Sequence, residues 1–101
     1  MISNNTGITS GGGIWSWEAY PSLENVMITG NSSGTWGGGI ACDYNSSPSL
    51  QNVTITGNTA SRGGGIYCSS SSPSLVNVTI TGNTVVDTMG SYGGGIYCSS
   101  S

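Results

Sequence analysis

Val53-Thr54-Ile55-Thr56 places apolar and polar side chains at alternate positions, the period of a half-buried strand. The same wave returns as Val26-Met27-Ile28-Thr29 and as Val78-Thr79-Ile80-Thr81. A Pro-Ser-Leu segment precedes each, at Pro21–Leu23, Pro48–Leu50 and Pro73–Leu75. An Ile-Tyr-Cys segment stands at Ile66–Cys68 and Ile96–Cys98, with Ile40-Ala41-Cys42 as a variant. No stretch has a helical period, and Ser, Thr, Asn and Gly are poor helix formers. The pattern predicts an all-β chain with three short strands per repeat: Pro-Ser-Leu, then Val-Thr-Ile-Thr, then Ile-Tyr-Cys.

Three landmarks keep one order along the chain. Gly-Gly-Gly-Ile occurs at Gly11–Ile14, Gly37–Ile40, Gly63–Ile66 and Gly93–Ile96. Asn-Val-Met-Ile-Thr-Gly-Asn at Asn25–Asn31 recurs with small changes at Asn52–Asn58 and Asn77–Asn83. The period is about 26 residues, the length of one solenoid turn. Repeats run over roughly 11–36, 37–62 and 63–92, with partial ones at 1–10 and 93–101. Length varies only between Asn and the glycine triplet and between the Cys position and Pro, so those stretches read as loops. The whole chain, 1–101, reads as a single repeat segment. Because both ends fall inside a repeat, a piece of a larger protein is expected.

One such repeat cannot bury its apolar face alone, but stacking does so at about 4.8 Å per rung. About four rungs give a stack roughly 19 Å tall. Equivalent residues then form interior ladders: Leu23/Leu50/Leu75, Val26/Val53/Val78, Ile28/Ile55/Ile80 and Ile14/Ile40/Ile66/Ile96. Asn25/Asn52/Asn77 and Asn5/Asn31/Asn58/Asn83 are expected to stack as amide ladders at two corners, because Asn tolerates left-handed backbone and bonds it locally. Open end rungs expose sheet edges, which makes end-to-end self-association an expected behaviour.

Composition sharpens this picture. Gly numbers 18 and Phe 0, a mix that without a period would suggest disorder. Lys+Arg is 1 against Asp+Glu 4, for a formal net charge of -3. Such a chain lacks the basic footprint of a nucleic-acid binder. No apolar run approaches the length of a membrane span, so direct membrane insertion by this segment is not expected.

Four groups of side chains carry the candidate chemistry. Cys42, Cys68 and Cys98 share one inward position and read as a ladder of buried free thiols; parallel Cβ vectors suit a disulfide poorly. Thr29, Thr56 and Thr81, with Thr54 and Thr79 beside them, form an outer Thr-x-Thr array interrupted by Met27. It is chiefly what a solvent-facing strand favours, and secondarily a candidate flat ice-binding face. Trp15, Tyr67 and Tyr97 share one outward position, interrupted by Ala41, while Trp36 and Tyr92 precede glycine triplets and Trp17 and Tyr20 lie alongside. These rings are expected mainly to stack on one another, and are the candidate contacts for glycan or for a host or cell-surface protein. Asn4, Asn31, Asn45, Asn52 and Asn77 head Asn-x-Ser/Thr triplets, matches that the composition makes common.

Catalytic machinery is not legible. Glu18 and Asp43, in loops of adjacent rungs, are the one acid pair, and glycoside hydrolysis normally needs two facing carboxylates. There is no His for a zinc site, no Asp in the glycine-rich turns for calcium, and no Gly-Lys-Ser/Thr for phosphate. No catalytic residue, metal ligand or cofactor is therefore assigned.

The Gly-Gly-Gly-Ile and Ile-Thr-Gly-Asn pairs resemble the Gly-Gly-Ala-Ile and Phe-x-x-Asn repeats of chlamydial polymorphic membrane proteins. More broadly, the chain from Ile2 to Cys98 resembles bacterial right-handed parallel β-helix repeat proteins of pectin lyase-like architecture. Ile28, Ile55 and Ile80 stand where the polymorphic proteins have Phe. The resemblance implies a right-handed parallel β-helix and an extracellular or cell-surface location. Autotransporter passengers and adhesins are common in that class, so a non-catalytic structural or adhesive segment is the expected role. The alternatives are a scaffold portion of a polysaccharide lyase or hydrolase with its active site elsewhere, and an ice-binding face. The Asp, Arg and Lys clusters of pectate lyases have no matching positions here.

Overall fold

The computed structural model describes residues 1–8, 10–86 and 94–99. Its strands are β1 (Ile2–Ser3), β2 (Thr6–Gly7), β3 (Ile14–Trp17), β4 (Ser22–Glu24), β5 (Met27–Thr29), β6 (Ser32–Ser33) and β7 (Ile40–Asp43). They continue as β8 (Ser49–Thr56), β9 (Thr59–Ala60), β10 (Ile66–Ser69), β11 (Ser74–Thr81), β12 (Thr84–Val85) and β13 (Ile96–Ser99). All strand pairs are parallel. They form three sheets: β1-β5-β8-β11 with β4 also on β8, then β2-β6-β9-β12, then β3-β7-β10-β13. The chain visits the three in turn and returns to the first, so it is an all-β solenoid; no helix occurs among the described residues.

Register matches the predicted ladders. Ile2 pairs with Ile28, Ile28 with Ile55 and Ile55 with Ile80. Ile14, Ile40, Ile66 and Ile96 line up in the third sheet. Leu23 and Leu75 flank Leu50. Between the sheets Ile28, Ile40, Leu50, Val53, Ile55, Ile66, Cys42 and Cys68 form one buried cluster. Each fully buried Val, Leu or Ile contributes about 1.5–3 kcal/mol over an exposed one, so a one-residue-wide column per sheet suffices. Stacking sets the burial. Ile40 and Ile66, with neighbours above and below, are 1% and 0% exposed, whereas Ile96 in the last strand is 40% exposed.

Strand boundaries differ from those expected. Pro-Ser-Leu and Val-Thr-Ile-Thr do not form separate strands in β8 and β11; each is one strand bent at Asn52 or Asn77. These asparagines, like Asn25, adopt left-handed backbone at φ of 56°, 53° and 57°. Because every rung bends at the same level, pairing continues through the corner. An unexpected short strand lies before the Ile-Tyr-Cys strand, in the stretch between Asn and the glycine triplet that sequence variation marked as loop. Two residues there, such as Thr59–Ala60, pair with the rungs on either side. A strand this short leaves no periodic signal, and only stacking creates it.

Two kinds of corner hold the turn. At the Gly-Asn corner Gly57 carries the positive φ, 67°, and Asn58 is fully buried. Asn58 Nδ2 donates to Ile28 O and to Asn83 Oδ1, while Asn58 Oδ1 accepts from Asn31 N and Asn31 Nδ2. The buried amide is thereby satisfied on both sides. At the glycine triplet, Gly39 is required by proximity. A Cβ there would sit 2.7 Å from Gly65 O and 2.9 Å from Ile55 Cγ2.

Candidate functional site

The outer face of the third sheet carries Trp15, Trp17, Tyr67 and Tyr97. Residue alternation turns Ile and Cys inward and the intervening position outward, giving the ladder Trp15, Ala41, Tyr67, Tyr97. Ala41 leaves two rung spacings, about 9.6 Å, between the Trp15 and Tyr67 backbones. Trp36, bridged to Ser10 and Arg62 at the turn before the triplet, stacks on Tyr67 at 5.7 Å and 24°. Tyr67 in turn meets Tyr97 at 5.5 Å. On the other flank Trp15 meets Trp17 edge-on at 5.5 Å, and Trp17 stacks on Tyr44 at 4.0 Å and 26°.

Both aromatic groups line a cleft of about 560 Å³. Trp15, Trp17 and Tyr44 contribute to it from one group and Trp36 and Tyr67 from the other. Asp43, Asn45, Ser10, Ser69 and Ser70 supply its polar groups. Asp43 is held in place by Trp15, whose Nε1 donates to Asp43 Oδ2 at 3.2 Å. The loop beyond β7 presents Tyr44 and Asn45 on left-handed backbone, φ 53° and 62°. Glu18 and Ser70, one rung away on either side of Tyr44, have the same conformation at φ 50° and 52°. Asn45 N donates to Ser70 O and Glu18 N to Asp43 O, so rung stacking holds a conformation that costs roughly 1–2 kcal/mol per residue. Burial raises the Tyr67 hydroxyl above its usual range, so it stands in the wall as a neutral donor.

The predicted aromatics therefore divide. Trp15, Trp17, Trp36 and Tyr67 converge on the cleft, Tyr67 almost covered at 8% exposure. Tyr97 extends the stack below Tyr67. Tyr20 projects into solvent away from it at 74% exposure. Tyr92 lies outside the described residues. Tyr44 and Asn45 were missed as contacts, since Tyr44 replaces the Glu18 and Ser70 of the adjoining rungs and Asn45 is in a loop one residue longer than theirs.

The remaining candidates lie elsewhere. Thr29, Thr56 and Thr81 align on the outside of the first sheet, as do Met27, Thr54 and Thr79. Thr81 Oγ1 bonds Thr56 Oγ1 at 3.4 Å. Cys42, Cys68 and Cys98 are in register and free. Cys42 and Cys68 are buried as expected, but Cys98 is exposed, because no further rung lies against β13 among the described residues. A hydrogen bond with Cys42, reinforced by burial, pushes the Cys68 thiol far up; burial, with Cys68 beside it, raises Cys98. Asp43 lines the cleft and Glu18 does not, so the acid pair is not brought to face one space. Among the described residues no group of three His, Cys, Asp or Glu side chains is placed to hold a metal ion. Of the Asn-x-Ser/Thr asparagines, Asn31 is buried in the amide ladder, while Asn4, Asn45, Asn52 and Asn77 are exposed.

No curated protein and no solved structure matches this chain. A family model does, over residues 1–101, under the description right handed beta helix region. Parallel strands in three sheets, with like residues stacked at every level, are what that description requires, and a right-handed turn is what parallel crossovers favour. The chain belongs to the right-handed β-helix family.

Proposed function

We propose that this chain is a non-catalytic, adhesive segment of a secreted or cell-surface β-helix protein, and that it holds glycan in the aromatic cleft. The observation that carries the reading is the pairing of exposed rings with neutral polar groups in one open space. Trp15, Trp17 and Tyr44 are 53%, 48% and 55% exposed, a large apolar area to leave wet on so small a chain. Such rings offer flat apolar faces with polar edges, and lose little freedom on binding. A single carboxylate, Asp43, lines the cleft, which supports binding over the two-carboxylate hydrolysis of sugars. The threonine columns support ice binding less well, because Met27 breaks the array and hydroxyls of neighbouring rungs bond one another.

The test is retention of the chain on a glycan array, beside a Trp17→Ala/Tyr44→Ala variant with an unchanged far-UV circular dichroism spectrum. The expected result is capture by a defined set of glycans and at least a tenfold loss in the variant. Absence of any glycan capture, or capture that ignores loss of the rings, contradicts the reading.

A further inference from the structure

Resting on the glycan reading of the cleft, we infer that its ligand is an uncharged pyranose chain and that acidic, uronate-bearing chains are refused. Charge is the first ground. Asp43 is the carboxylate of the lining, and no Lys, Arg or His lies in it to offset a ligand's negative charge. The chain's single Lys or Arg, Arg62, stands outside the lining, bridged to Trp36 and acting on Tyr67, and the net charge of -3 leaves the wider field negative. Shape is the second. Trp17 and Tyr44, about half exposed, stack face to face and leave an outer ring face as a plate for the cleft, and Trp36, stacked on the nearly covered Tyr67, lines it as well. A pyranose with equatorial hydroxyls presents flat C–H faces to such plates and its hydroxyls to the rim. The third is hydrogen bonding. The rim offers Asn45, Ser69 and Ser70, which are neutral and can both donate and accept. Asp43 Oδ2 is occupied by the Trp15 indole, and among the described residues no group bonds its Oδ1, which remains an acceptor for a sugar hydroxyl. A ligand carboxylate brought to the same place meets that oxygen as a like charge.

Calorimetric and tryptophan-fluorescence titrations with cellohexaose, and with an oligogalacturonate of the same length, test this on the wild type and on Asp43→Asn. The neutral hexamer is expected to bind. The acidic one should bind at least tenfold more weakly at low salt, the gap shrinking as salt screens the repulsion. In Asp43→Asn the gap should fall to threefold or less. The salt series needs only the wild type, so the inference stays testable if that variant does not fold. Equal or tighter binding of the acidic hexamer overturns the inference and leaves the glycan reading standing. A gap unmoved by both salt and Asp43→Asn overturns its electrostatic basis. Binding of neither sugar at millimolar concentration removes the glycan reading along with it.

Discussion

One inward position shows how closely single residues are tied to their level in the stack. Cys42 and Cys68 fill the interior of the third sheet, and Ser16 takes the same place in the first rung. The Ser16 hydroxyl is buried and has no hydrogen-bond partner. Leaving such a group unpaired costs about 1–3 kcal/mol. Ser16→Cys should therefore stabilise the chain by about 1 kcal/mol, read as a higher urea midpoint with an unchanged slope; a lower midpoint contradicts the assignment. The thiols also set an alkaline limit. The folded values of Cys68 and Cys98 are raised, whereas an unfolded Cys titrates at about 8.5. Folding thus favours the protonated thiol, and this contribution is complete below that value. It is lost as pH rises above it, because the unfolded chain then releases protons that the folded chain retains. Stability followed by urea titration should be level to about pH 8 and decline beyond it. Cys68→Ala should flatten that decline.

At the scale of the element, the glycine triplet provides the sharpest contrast. Gly39 and Gly95 hold equivalent positions in two rungs. A Cβ on Gly39 meets the Gly65 carbonyl at 2.7 Å, whereas one on Gly95 meets, among the described residues, only Ile80 Cγ2 at 3.6 Å. Gly39→Ala should cost at least about 3 kcal/mol, since backbone must shift in a closely packed interior. Gly95→Ala should cost less than about 1 kcal/mol. Equal effects in thermal or urea unfolding would show that stacking is not what excludes the side chain. The same dependence on neighbours explains what was legible in the sequence. Ladders such as Ile14/Ile40/Ile66/Ile96 were readable because each site repeats its residue type. Strands such as Thr59–Ala60 were not, because two residues have no period and become strand only through the rungs beside them. Half of the cleft was readable in the same way, from Trp15, Trp17, Trp36 and Tyr67. Tyr44 and Asn45 were not, because Tyr44 stands where the adjoining rungs have Glu18 and Ser70, and Asn45 lies in a loop one residue longer than theirs.

Across the whole molecule, three sheets of parallel strands turn a chain with few large apolar residues into a fold with a continuous narrow core. Repetition forms that core, and departures from repetition form the site. Ala41 interrupts an aromatic ladder, Trp36 stacks on Tyr67 from the turn before the glycine triplet, and Asp43 and Tyr44 stand where the next rung has Ser69 and Ser70. Fold and cleft therefore depend on one condition, that equivalent residues of successive rungs lie side by side. A three-dimensional nuclear Overhauser spectrum of the labelled chain measures this most directly. The structure predicts backbone contacts between Ile40 and Ile66 and between Thr54 and Thr79, together with ring contacts between Trp36 and Tyr67 and between Trp17 and Tyr44. Sequential helical contacts, or antiparallel contacts between strands adjacent in the chain, would contradict it.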